Sequence, residues 1–116
     1  MSGKTLEELA EAVAKLDRYY LMNLSFNKPP QFILDVMTAA MLLIGEENPT
    51  WATIMRNLPR TDGKGLMEMV VEYDPSDVSD ATKAKARDLL SKYTLEHMRF
   101  PFTATVFEWA MSAVNA

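Results

Sequence analysis

Asn27-Lys28-Pro29-Pro30-Gln31-Phe32-Ile33 divides this chain into two kinds of helix. Neither proline has an N–H to give, and each crowds the turn before it, so no helix runs through the pair. A helix can restart directly after them, because proline's fixed φ suits the first helical turn. Upstream, Leu6, Leu9, Val13, Leu16 and Tyr20 recur at spacings of three and four. That narrow stripe fits a coiled-coil strand, or an amphipathic helix lying on the domain. Thr5-Leu6-Glu7-Glu8 supplies a capping box at its start.

Downstream, Phe32, Ile33, Val36, Met37, Ala40, Met41 and Ile44 follow helical spacing, and Leu43 adds apolar surface outside that stripe. So broad a face predicts a helix at the centre of a bundle. Gly45 suits the residue just past its end, and Glu46-Glu47-Asn48-Pro49 forms a loop. Thr50 can cap a short helix bearing Trp51, Ile54, Met55 and Leu58, which Pro59 stops. Arg60-Thr61-Asp62-Gly63-Lys64-Gly65 is a surface loop rich in turn formers.

Leu66, Met69, Val70 and Tyr73 fit another short helix; a strand there would have no partner nearby. Asp74-Pro75-Ser76-Asp77 is a turn. Ser79 or Asp80 opens a helix through Ala81, Ala84, Leu89, Leu90 and Tyr93, with Lys83, Lys85 and Arg87 towards water. After a break at Phe100-Pro101-Phe102, Thr103 can cap a last helix through Val106, Trp109, Ala110, Ala113 and Val114. The expectation is all-α: a compact bundle of about six short helices after one coiled-coil-type N-terminal helix.

At 116 residues the chain suits one domain with a modest core. Its 48% hydrophobic and 24% charged content is that of a folded globule. There is no cysteine, which removes disulfides, thiolate metal sites and a thiol nucleophile. A net charge of −4 without a basic cluster argues against nucleic-acid binding. The longest apolar run, Met37 to Gly45, is too short to span a bilayer. The N-terminus leads into acidic residues rather than a signal-peptide core, so a cytosolic setting is expected.

Chemistry finds little to work with. His97 is the one histidine and reads as a partly exposed helix residue. The pairs Glu46-Glu47 and Asp74 with Asp77 sit in loops, without the contrasting environments that acid–base catalysis needs. The Asp74 to Asp80 stretch lacks the glycine and glutamate of a calcium loop, and Gly63-Lys64-Gly65 lacks the spacing of a phosphate loop. Nine methionines can form an adaptable surface, but Met37, Met41, Met55 and Met69 fall at core spacings. No enzyme, cofactor or metal is expected.

In order along the chain stand Lys15-Leu16-Asp17 through Ser25-Phe26-Asn27, Pro29-Pro30, Leu42-Leu43-Ile44-Gly45-Glu46 and Pro49-Thr50-Trp51. Val71-Glu72-Tyr73-Asp74-Pro75-Ser76-Asp77-Val78-Ser79-Asp80 and Phe107-Glu108-Trp109-Ala110-Met111 follow. Together, over about residues 15 to 114, they resemble the microtubule-binding domain at the stalk tip of dynein heavy chains. That resemblance implies residues 1–27 as part of a stalk strand with its lead-in and residues 28–116 as a helical head. It implies a non-enzymatic head that binds tubulin, coupled through the stalk to a distant ATPase ring.

Carried onto this sequence, the face towards tubulin would comprise Lys28, Gln31, Leu34 and Asp35, then Arg56, Arg60 and Lys64, then Glu96 and Arg99. Leu34 stands where cytoplasmic members commonly carry lysine, and Asp35 beside it leaves the first head helix with little positive charge. These features look more axonemal than cytoplasmic, which implies a cytoskeletal setting in a cilium or flagellum. The implied partners are the microtubule, the returning stalk strand of the same heavy chain, and an axonemal dynein light chain as the alternative. With that returning strand expected beyond Ala116, the stripe from Leu6 to Tyr20 would lack its mate.

Overall fold

Thr5 caps the first helix as its sequence predicts. Its hydroxyl accepts from the Glu8 N–H at 3.2 Å, and the Glu8 carboxylate accepts from the Thr5 N–H at 3.3 Å. Helix α1 is Leu6–Ala14. It belongs to a computed structural model that describes residues 5–16, 30–46, 48–57, 66–98 and 101–115. There follow α2 (Gln31–Leu43), α3 (Trp51–Asn57), α4 (Leu66–Val71), α5 (Asp80–Leu90) and α6 (Pro101–Val114). Two 3-10 turns, Pro75–Asp77 and Leu95–His97, precede α5 and α6 respectively. Among the described residues there is no strand, and the fold is an all-α bundle.

Helix α2 is the axis of the bundle. Pro30 stands at its N-cap with φ −52°, and Ile33, Val36, Met37, Ala39, Ala40, Met41 and Leu43 are buried around it. It packs on α5, α6 and α3, which is why its apolar surface is too broad for a single face. Its end is closed at Gly45, whose φ of 108° few side chains tolerate. There the Glu46 N–H donates to the Met41 carbonyl at 3.0 Å and the Gly45 N–H to the Leu42 carbonyl at 3.2 Å. This paired closure satisfies two carbonyls that the helix leaves open.

The other caps are equally local. Thr50 accepts from the Thr53 N–H, and Ser79 from the Thr82 N–H, each at 3.2 Å. Thr103, however, is no cap. Helix α6 begins at Pro101, where a missing N–H costs nothing, and Thr103 lies inside it at 0% exposure. Helix α5 ends at Leu90, short of Tyr93, and buries Ala86 and Leu90; Ala81 and Ala84 are exposed and Lys83 is half-buried.

The stripe on α1 has a cover after all. Leu9, Ala10 and Val13 are buried in the same core as Trp109 and Met37, and α1 packs on α6 and α4. Fully burying one such aliphatic side chain stabilises by about 1.5–3 kcal/mol, enough to hold a helix too short to stand alone. Of that stripe, Tyr20 lies outside the described residues, as do Pro29 and the loop from 60 to 65.

Candidate functional site

The start of α2 is tied to the chain that follows α5. Asp35, one turn into α2, is only 5% exposed. Its carboxylate accepts from the Tyr93 hydroxyl at 2.6 Å and from the Gln31 side-chain amide at 2.8 Å. Burial, then the hydrogen bond to Asp35 and that residue's negative charge, pushes the Tyr93 phenol up to about 12. A carboxylate buried this deeply needs such partners, because an unpaired one loses its hydration for nothing.

Tyr93 leads straight into the Leu95–His97 turn, which packs on α6. Three of the residues drawn from the resemblance, Gln31, Asp35 and Glu96, therefore come from two segments joined through Tyr93. Gln31 and Glu96 are exposed and Leu34 is half-buried. Leu95 is 49% exposed, an unusually open leucine beside them in the chain. Asp35 itself does not face outward: its charge is held inside the hydrogen-bonded group. Arg56 is exposed in the last turn of α3, which packs on α2. Lys28, Arg60, Lys64 and Arg99 lie outside the described residues, as does the side chain of His97.

Two polar contacts had no signal in the sequence. Tyr93 and Asp35 are 58 residues apart, and Arg87, which reads as a water-facing cation, donates from Nη2 to the Val114 carbonyl at 2.6 Å across 27 residues. That guanidinium closes the C-terminal end of α6, where cations are favoured.

At the other end of α2 lies an open cleft of about 760 Å³ between that helix, α4 and the link into α5. Leu43, Met69, Tyr73 and Val78 contribute its apolar lining. The Tyr73 ring meets Trp109 edge-on, with centroids 5.3 Å apart and planes at 78°. The Tyr73 hydroxyl and Trp109 Nε1, like Thr103 Oγ1, are buried with no hydrogen-bond partner among the described residues. Burial, and secondarily the Asp74 charge, raises the Tyr73 phenol above its usual value. Asp74 is held below the usual carboxylate range by the Ser76 N–H and hydroxyl, at 2.9 and 2.8 Å.

Among the described residues no group of three or more His, Cys, Asp or Glu side chains is placed to hold a metal ion. None of the described helices is long and apolar enough to cross a membrane. Comparisons with family models, curated proteins and solved structures give no match for this chain.

Proposed function

We propose that this chain is a microtubule-binding head of the dynein stalk-tip kind, a docking module that performs no chemistry of its own. One observation carries the reading: four of the motifs behind the resemblance stand at successive helix boundaries, and a fifth lies inside the last helix. Pro30 caps α2, Gly45 closes it, Trp51 opens α3, Asp74 to Asp77 turn the chain between α4 and α5, and Trp109 anchors α6. The inward Asp35 adds support. With its charge engaged by Tyr93 and Gln31, the start of α2 offers an acidic tubulin surface no bare carboxylate.

Contact then comes from Gln31 and Leu34 on α2, Glu96 with neighbouring Leu95, and the cations Lys28, Arg56, Arg60, Lys64 and Arg99. Exposed charge pairs of this kind contribute about 1 kcal/mol or less each, so binding is salt-sensitive. In the family the stalk has two strands. An axonemal setting follows from the same reading.

Co-sedimentation with microtubules at low and moderate salt tests the proposal. Binding at low salt that is lost in a variant combining Arg56→Glu, Arg60→Glu, Lys64→Glu and Arg99→Glu, with its helical circular dichroism intact, is the expected result. No binding at low salt would favour the alternative, a module of the same fold that docks an axonemal light chain or another protein. The net charge of −4 favours that second reading.

A further inference from the structure

The cleft at the far end of α2 has an electrostatic character that the tubulin reading does not use. Among the described residues its rim carries Glu46, Glu72, Asp74 and Asp77, all exposed, against one ammonium, Lys85. Helix α2 ends there, and its C-terminal pole is partially negative. No basic residue sits in its last turn to offset that pole. The nearby start of α5 is positive by the same rule, but the Ser79 hydroxyl caps it and Asp80 lies in its first turn. Beneath the rim the lining is mixed: Met69, Tyr73 and Val78 are half-buried and offer apolar surface beside Asn48, Ser79 and Thr82.

A concave site with apolar side chains in its floor and, among the described residues, a mostly negative rim selects its occupant. Anions and nucleic acid are repelled. A metal ion finds no set of three ligands among the described residues. A peptide segment bearing lysine or arginine around an apolar residue satisfies both parts of the site at once, its cations on the rim and its apolar side chain on the floor. We propose that this cleft docks such a basic segment of a partner protein.

Helix α2 has 13 residues, which at 1.5 Å each separates the cleft from Gln31 by about 20 Å. Tubulin co-sedimentation and occupancy of this cleft are thus separate measurements, and either proposal can fail alone.

The test uses the full chain and a fluorescein-labelled decapeptide of lysine and alanine with a central leucine, read by fluorescence anisotropy. Binding that weakens with salt is expected, with none for the same peptide carrying glutamate for lysine. Combining Glu46→Gln, Glu72→Gln and Asp77→Asn should weaken it at least about tenfold. Asp74 is left in place because it holds the turn through Ser76. Combining Glu7→Gln, Glu11→Gln and Asp88→Asn removes equal charge from exposed positions outside the cleft lining and should change affinity less than about twofold. Equal loss in both triple variants would overturn the proposal, since general acidity would then explain the binding. So would spermine binding as tightly as the peptide, because the apolar floor would then have no role.

Discussion

The Asp35 carboxylate would ordinarily seek water; here it is met by the Tyr93 hydroxyl and the Gln31 amide at 5% exposure. Replacing Tyr93 by Phe removes one donor and leaves a buried charge short of partners, which should cost about 1–3 kcal/mol in urea unfolding. The phenol's proton gives this a pH signature. Free tyrosine titrates near 10, and Tyr93 in the folded protein near 12. Above pH 10 the unfolded chain releases a proton that the folded chain still holds. The stabilisation is therefore complete below about pH 10 and disappears as pH rises towards 12. The gap between wild type and Tyr93→Phe should narrow over that window. In Asp35→Asn, the phenolate absorbance step of Tyr93 should move back towards 10 without reaching it, because burial remains the first cause. Gly45→Ala makes a separate case. A Cβ there meets nothing within 4 Å, so only the φ of 108° resists it, and thermal unfolding should report a loss of about 1–2 kcal/mol.

Helix α1 shows what an element gains from its neighbours. Leu9 is 4% exposed where α1 joins the core, so Leu9→Ala should destabilise the whole domain by about 2–4 kcal/mol. A stalk strand standing free of the head would show almost no change in the same denaturation curve. The stripe Leu6, Leu9, Val13 revealed an apolar face in the sequence, but periodicity names no partner, and α6 and α4 lie far along the chain. Caps were legible because each acts within a few residues: Thr5 with Glu8, Thr50 with Thr53, Ser79 with Thr82, and Gly45. The same local rule misplaced Thr103, since Pro101 two residues earlier already starts α6. Of the candidate face, Gln31 and Glu96 are exposed, whereas Asp35 turns inward to a hydroxyl 58 residues away, a contact no window of sequence contains. Arg87 makes a similar long-range closure. Arg87→Met should speed amide exchange in the last turn of α6 while leaving α2 protected, because only the Val114 carbonyl loses its donor.

On the scale of the molecule, the proposed docking on microtubules would have a chain of net charge −4 reach an acidic lattice through a few cations, so association should fall steeply with salt. Raising salt from about 50 to 150 mM, where the screening length shortens to about 8 Å, should weaken microtubule co-sedimentation several-fold. Loss of helical signal at the same salt would contradict a purely electrostatic cause. The two tryptophans give this molecule a built-in optical gauge. Trp109 has no exposure to solvent and lies edge-on to Tyr73, whereas Trp51 is half-buried at the surface start of α3. Iodide should therefore extinguish the redder emission of Trp51 first and leave a blue-shifted remainder from Trp109. Any event that loosens α6 from its neighbours would be visible as that remainder reddens, with no label attached to the protein.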